Sequence, residues 1–223
     1  MAIIHHTTLT PGKLELLASW LPGQPWYKGT GRKPSLSKSG GFRLDDPRGE
    51  VGIEFMVTTD DSGDRPVSYH VPLSYRGAPL EGAEEALLGT SEHGVLGRRW
   101  IYDGTHDPVL VAQLLALLQG RAEPQAQSIN DTPDPSVTVH FTGTGVASEV
   151  LSTTVGNGPD DTRLTVETTA AGAIRQLTVE VARVLQPAGS PPADAAGHVT
   201  AGWRFPEGQE NRGVFAVLHA ATP

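Results

Sequence analysis

The alternation of apolar and polar residues predicts that most of this chain is β-strand. In two neighbouring segments, an apolar side chain stands at every second position: Val51, Ile53, Phe55 and Val57 in the first, and Val67, Tyr69, Val71 and Leu73 in the second. Successive side chains of a strand point to opposite faces, so a period of two predicts strands with one apolar face. Shorter or less regular patterns predict further strands at residues 2–8, 41–45, 98–103, 136–142, 149–155, 163–168, 176–185, 198–205 and 214–220.

Two segments have helical spacing instead. In the first, apolar residues recur every three or four positions, at Leu14, Leu17, Trp20 and Leu21. Thr10 is the predicted N-cap of this helix and Pro11 its first residue, because proline has no N–H to lose there. Pro22-Gly23 is expected to end it.

The second helix is the clearest in the chain. Asp107 is its predicted cap, Pro108 takes the first helical position, and Gly120 marks its end. Its apolar face is formed by Leu110, Leu114, Leu117 and Leu118. A short helix at residues 81–88 is a weaker prediction.

Residues 121–135 contain three prolines and few apolar residues, which is typical of a linker. The sequence therefore predicts an α+β first domain over residues 1–120 and a mostly antiparallel β domain over residues 136–223.

Charge is distributed unevenly. The 223 residues carry a formal net charge of −8, yet all four lysines (Lys13, Lys28, Lys33 and Lys38) lie in the first 38 residues. An acidic protein does not suit general nucleic-acid binding, which needs clustered Lys and Arg. The sequence has no cysteine, so disulfides and thiolate chemistry are excluded. It also shows no membrane span or secretory signal, so we expect a cytoplasmic protein.

Directly after the first helix, Trp26 and Tyr27 are followed by Lys28, Arg32 and Lys33 in a glycine-containing loop. Two interpretations remain open. Trp26 can fill the core beneath the helix while the basic residues are solvated, or the group can contact a partner or ligand. Tyr75, Trp100, Asp103 and His106 are secondary candidates for such a contact.

The same stretch resembles the signature that opens actinobacterial maltokinases, in their N-terminal cap domain. The matching residues are Leu21-Pro22, Gln24, Trp26-Tyr27, Lys28-Gly29 and Gly31-Arg32. A second block is similar: Val71-Pro72-Leu73-Ser74-Tyr75, Leu87-Leu88-Gly89, and residues 100–108 (WIYDGTHDP). The resemblance covers roughly residues 1–120. It implies a cystatin-like cap, a curved antiparallel sheet with one or two helices, and a role in α-glucan or trehalose metabolism.

Residues 136–223 match the maltokinases only weakly, where those enzymes have the small lobe that receives ATP. One interpretation is therefore a small-lobe remnant. The strand-rich part has no lysine to place on phosphates, and arginine replaces a compact ammonium poorly. The HxD…N and DxD or DFG-like motifs of the catalytic lobe are not found. Gly143-Thr144-Gly145 is only a fragment of a phosphate loop and is more typical of a hairpin turn.

Other chemistry is weakly supported. The eight histidines show no HxH or HExxH spacing, and the adjacent carboxylate pairs fall in or near predicted turns. The sequence therefore predicts no catalytic residue, no cofactor and no metal.

We expect a non-catalytic accessory or regulatory protein that binds a partner enzyme or a glucan through residues 26–33. Two alternatives stay open. One is a pseudokinase-like remnant that binds nucleotide, and the other is a sugar or sugar-phosphate enzyme with a site between the two domains. The oligomeric state is not predicted.

Overall fold

The computed structural model describes residues 9–29, 31–127, 132–143, 147, 149–170 and 172–219, which form an α+β fold dominated by antiparallel sheet. Its helices are α1 (Lys13–Trp20) and α2 (Pro108–Leu118), with short 3₁₀ helices at Leu21–Gly23, Glu84–Ala86 and Gly104–His106. Its strands are β1 (Leu9–Thr10), β2 (Leu36–Leu44), β3 (Gly52–Asp60), β4 (Val67–Arg76), β5 (Leu87–His93), β6 (Gly97–Asp103), β7 (Gln125–Ala126), β8 (Thr138–Phe141), β9 (Glu149–Asn157), β10 (Asp161–Ala170), β11 (Ala173–Ala182), β12 (Ala195–Arg204) and β13 (Glu210–His219).

One hydrogen-bonded sheet joins these strands in the order β1-β5-β6-β4-β3-β2-β12-β13-β11-β10-β9, with β7 added beside β2 and β8 beside β12. The chain after β11 returns to β4, where Tyr69 pairs with Val184. The Leu185 N–H also donates to the Ser68 carbonyl oxygen at 2.9 Å. These bonds close β4, β3, β2, β12, β13 and β11 into a ring.

The ring depends on a glycine where β2 meets β12. These strands are joined at the pair Gly40–Trp203. Gly40 has a φ of +151°, and a Cβ there would lie 3.2 Å from the Cα of Trp203. A larger residue would therefore separate the two strands, because it would be both strained and crowded.

Helix α2 packs against the inner face of the curved sheet. The helix has apolar side chains on all sides, and most of them are buried: Leu110, Val111, Leu114, Leu115, Ala116, Leu117 and Leu118. All of these except Ala116 belong to one apolar cluster with residues of β2, β3 and β10 to β13. Asp107 caps the helix as predicted, accepting the Val109 N–H at 2.9 Å. A helix that is apolar all round is typical of a buried position.

Helix α1 covers the opposite face of the sheet. Leu17 and Leu21 pack there with Trp26, Met56 and Val71 in a second apolar cluster. The predicted cap of this helix is wrong. Thr10 belongs to β1, where it pairs with Glu92 of β5, so the helix begins only at Lys13. The Glu15 carboxylate accepts the Gly12 N–H at 2.7 Å and satisfies the start of the helix instead.

Other elements also differ from prediction. The helix expected at residues 81–88 is reduced to the 3₁₀ turn Glu84–Ala86, because Leu87 and the residues after it pair with β6. The strand expected over residues 176–185 ends at Ala182, where the chain crosses from β13 to β4. The strand expected at residues 2–8 lies outside the described residues.

The two predicted domains meet extensively. Residues of both contribute to the ring of strands and to the cluster around α2. Within the predicted linker, β7 pairs with β2. The boundaries themselves, and the cystatin-like detail, stay predictions. In the described part of the chain, neither α-helix has the length and apolar composition needed to cross a membrane.

Candidate functional site

Trp26 lies at the start of the predicted contact loop, and its side chain is completely buried. Its ring packs against Trp20, with centroids 5.7 Å apart, and against Tyr69 at 5.9 Å. The guanidinium carbon of Arg183 lies 5.0 Å from the centroid of the Trp26 ring, in cation–π geometry. Trp26 therefore belongs to the core beneath α1, in agreement with the first of the two interpretations.

Arg183 is the centre of a buried polar network. It is fully buried, and its Nη2 donates to Asp103 Oδ2 at 2.6 Å and to Thr105 Oγ1 at 3.0 Å. Its Nε donates to Thr162 Oγ1 at 2.7 Å. A buried charge of this kind is tolerated when it is paired and hydrogen-bonded. Asp103 therefore positions Arg183 and is not free to act on a ligand.

Tyr27 joins the loop to the hairpin that follows β3. Its hydroxyl donates to Asp60 Oδ2 at 2.7 Å. Burial and the nearby Asp60 carboxylate raise the pKa of Tyr27. Burial alone would raise the pKa of Asp60, but hydrogen bonds from Tyr27, Ser62 and Ser35 outweigh it and lower that pKa. Tyr27 is therefore held neutral and Asp60 ionised, and these are the forms that make this hydrogen bond.

Lys28 is exposed and reaches the second half of the chain. Its backbone N–H donates to the Tyr69 hydroxyl at 2.9 Å, while burial raises the pKa of Tyr69 to about 12 and keeps it neutral. The Lys28 ammonium lies 2.8 Å from Asp160 Oδ1 and donates to the Pro159 carbonyl oxygen at 2.8 Å. Its charge is therefore partly compensated.

The other two basic residues of the loop are exposed. Arg32 Nη1 donates to the Ser62 carbonyl oxygen at 3.2 Å, which places Arg32 beside the acidic hairpin loop that contains Asp60, Asp61 and Asp64. Two of the three basic residues, Lys28 and Arg32, thus lie beside acidic parts of the fold.

A surface pocket of about 310 Å³ lies next to Lys28, at the seam where β4 meets the chain after β11. We call it the junction pocket. Both halves of the chain line it: Lys28, Pro66, Val67 and Ser68 from the first, and Asp160, Val184, Leu185, Gln186, Pro187 and Phe205 from the second. The Arg183 network fixes the wall of the pocket, because Val184 and Leu185 follow Arg183 directly and pair with β4.

The secondary candidates occupy separate places. The Tyr75 hydroxyl donates to the buried Glu54 at Oε2, at 2.5 Å, and Glu54 also pairs with the half-buried Lys13. Burial opposes ionisation of Glu54, but the charge and hydrogen bond of Lys13, the Tyr75 hydrogen bond and the charge of Lys38 together outweigh burial and lower the pKa of Glu54. Trp100 packs beside the 3₁₀ turn Glu84–Ala86, and His106 is exposed at the end of another 3₁₀ turn. Of these four, Asp103 alone joins the network that supports the junction pocket.

Arg183, Gln186 and Phe205 were not predicted as site residues. The one signal for Arg183 is a lone arginine between apolar residues in a predicted strand, a pattern that also suits an exposed position. Gln186 and Phe205 carry no motif. For the nucleotide alternative, Thr144 and Gly145 lie outside the described residues. Among the described residues, no three His, Asp or Glu side chains are grouped as metal ligands.

Comparison with known families supports the sequence resemblance. Residues 20–107 match the family model described as the maltokinase N-terminal cap domain. The match includes Trp26, Lys28 and Asp103, whereas Arg183 and the second half of the junction pocket lie beyond it. No curated protein matches the chain.

Proposed function

We propose that this protein is a non-catalytic accessory protein of maltokinase-type α-glucan or trehalose metabolism. It acts by binding a glucan or a partner enzyme at the junction pocket and the exposed part of the loop formed by Lys28, Arg32 and Lys33. The metabolic setting rests on the family match over residues 20–107.

The observation that supports the non-catalytic role is the internal use of the two carboxylates in the second signature block. Asp103 is paired with Arg183. Asp107 accepts two hydrogen bonds from Arg76, at 2.6 and 2.7 Å, and also caps α2. General acid–base or metal chemistry requires carboxylates that can reach a substrate. These two are fully engaged in the fold, which supports a structural use of both, and the binding role is proposed instead for the exposed residues beside the junction pocket.

A capture experiment tests this proposal. The immobilised protein is exposed to soluble glycogen, to maltooligosaccharides and to lysate of the native host, and bound material is identified. We expect a specific glucan or enzyme of glucan metabolism to be captured. A variant with Lys28, Arg32 and Lys33 all changed to Ala should lose most of that capture while unfolding at nearly the same temperature as the native protein.

The matched control changes three exposed basic residues elsewhere: Arg48, Arg98 and Arg175. Equal capture by the loop variant, the control and the native protein would contradict the assigned surface. Phosphorylation of maltose by the purified protein with ATP and Mg²⁺ would contradict the non-catalytic role.

A further inference from the structure

We propose that the junction pocket binds a neutral carbohydrate, such as the end of an α-glucan chain, in preference to a sugar phosphate or a nucleotide. This inference rests on the proposed function and specifies the ligand of the same site. Three features of the pocket support it: its charge balance, its mixture of polar and apolar groups, and the way its walls are anchored.

The charge balance of the pocket favours a neutral ligand. The cation Lys28 and the anion Asp160 both line it, and their charged atoms lie 2.8 Å apart. A second donor direction of the Lys28 ammonium is used by the Pro159 carbonyl oxygen. Phosphate sites normally present uncompensated cations or several backbone N–H groups. Here an incoming phosphate would meet the Asp160 carboxylate, on a protein whose net charge is already −8.

The polar groups suit hydroxyls. The side chains of Lys28 and Asp160 remain 42% and 57% exposed despite their ion pair, so each can form further hydrogen bonds. Gln186, which is also exposed, adds an amide with both donor and acceptor atoms. Sugar hydroxyls act as donors and acceptors at once, and such a mixed set of side chains can satisfy both roles.

The apolar part of the pocket suits the faces of a sugar ring. Phe205 is half-buried and lines the pocket together with Pro66 and Pro187. A small set of placed polar groups on a mainly apolar concave surface is the usual composition of a small-molecule site. A volume of about 310 Å³ is at the small end of such sites, which favours a chain end over a longer segment.

Both walls of the pocket are held before any ligand arrives. Arg183 anchors the segment that carries Val184 to Pro187, through Asp103, Thr105 and Thr162. The Tyr69 hydroxyl accepts the Lys28 N–H and fixes the backbone on the other side. Such preorganisation lowers the conformational entropy lost on binding.

The inference is tested by NMR titration of the ¹⁵N-labelled full chain with three probes: maltotriose, glucose 1-phosphate and ATP·Mg²⁺. We expect maltotriose to shift amide signals of residues 66–68 and 184–187, and to bind at least tenfold more tightly than either phosphate probe. Phe205→Leu, which removes the ring but keeps an apolar side chain, should weaken maltotriose binding about tenfold. Ile174→Ala, at an exposed position outside the pocket, is the matched control.

The variant Asp160→Asn is a second test. A merely structural role of Asp160 would not change the preference of the pocket between maltotriose and glucose 1-phosphate. Without the carboxylate, the Lys28 charge is uncompensated, so glucose 1-phosphate should bind more tightly while maltotriose binds more weakly. Tighter binding of a phosphate probe than of maltotriose by the native protein, or maltotriose shifts elsewhere in the chain, would overturn the inference.

The proposed function can fail separately. If the native protein shows no maltotriose shifts but still captures a partner enzyme through Lys28, Arg32 and Lys33, the carbohydrate inference is wrong and the accessory role stands. If neither a carbohydrate nor a partner is bound, both are wrong.

Discussion

Trp26 and Lys28 are two residues apart in the same signature, yet their environments are opposite. Trp26 is fully buried between α1 and the sheet, in contact with Arg183. Lys28 is exposed at the rim of the junction pocket and reaches Asp160. One signature thus contains a buried part that shapes the molecule and an exposed part that can bind.

The residues of the family match do not form their buried part alone. The buried part includes Trp26 and Asp103, and its partner Arg183 comes from outside the matched residues. The matched segment therefore completes its interior with a side chain from the second half of the chain. We expect changes in the buried part to lower stability and changes in the exposed part to alter binding.

The strongest test of the buried part is Trp26→Ala. Replacing a fully buried tryptophan leaves a cavity next to Tyr69 and removes the ring on which Arg183 lies, so we expect the free energy of unfolding to fall by about 3–5 kcal/mol. Urea unfolding followed by circular dichroism measures this. A loss below about 1 kcal/mol would show that Trp26 is not the core residue described here.

Arg183→Ala should be nearly as damaging. It leaves the buried Asp103 carboxylate without its cation, and breaking a buried pair from one side costs about 3–5 kcal/mol. The matched control is Arg204→Ala. Arg204 forms an ion pair with Glu210 in which both side chains are about 70% exposed. Losing this pair should lower the free energy of unfolding by less than about 1 kcal/mol. Equal losses from the two variants would refute the central role of Arg183.

The interior also predicts a pH dependence through His70. This residue is buried, with its Nδ1 2.9 Å from the Ala182 carbonyl oxygen, so the neutral ring donates from Nδ1. Burial lowers the pKa of His70 to about 3, from an ordinary value of 6.5. Above pH 6.5 neither the folded nor the unfolded state binds the proton. Between pH 6.5 and about 3 only the unfolded state binds the proton. The free energy of unfolding therefore decreases as the pH is lowered, by up to about 1.4 kcal/mol per pH unit.

A His70→Gln variant isolates this effect. Unfolding curves at pH 6.5, 5.5 and 4.5 should show a clearly smaller loss for the variant than for the native protein, because carboxylates titrate in both. If the free energy of unfolding changes with pH in the same way for the variant and the native protein, His70 does not contribute to the pH dependence.

Tyr27 lies at the border of the two parts and should show an intermediate effect. Tyr27→Phe removes the hydrogen bond to the ionised Asp60, and hydrogen bonds to charged groups contribute about 1.5–3 kcal/mol when fully shielded. Since Tyr27 is only half-buried, we expect a loss of about 1 kcal/mol, measured by urea unfolding. An unchanged urea midpoint would show that this hydrogen bond between the loop and the hairpin does not stabilise the protein.

The smallest stability effect is expected for Lys28→Ala. Its ion pair with Asp160 is largely exposed, and such pairs contribute about 1 kcal/mol or less. The variant should keep the native melting temperature within a few degrees but weaken ligand capture. A severe loss of stability would place Lys28 with the buried part of the signature instead.

Local patterns in the sequence were enough to locate much of the secondary structure. The period-two segments became β3 and β4, and Asp107-Pro108 opens α2 as expected, because capping and alternation depend on neighbouring residues. The cap of α1 and the helix at residues 81–88 were predicted wrongly for the opposite reason. Thr10 pairs with Glu92, far along the chain, and Leu87 pairs with Tyr102 in the hairpin that β5 forms with β6, so strand pairing decided both outcomes.

The sequence by itself determined the strand-rich α+β character, the position of α2 and the cap-family resemblance, since each is encoded in residues close together along the chain. Only the tertiary structure decided that the sheet closes through Tyr69 and Val184, that Arg183 enters the core beside Trp26, and that Lys28 is compensated by Asp160. These contacts join residues more than one hundred positions apart, and no local pattern of hydrophobicity or charge specifies such a pairing.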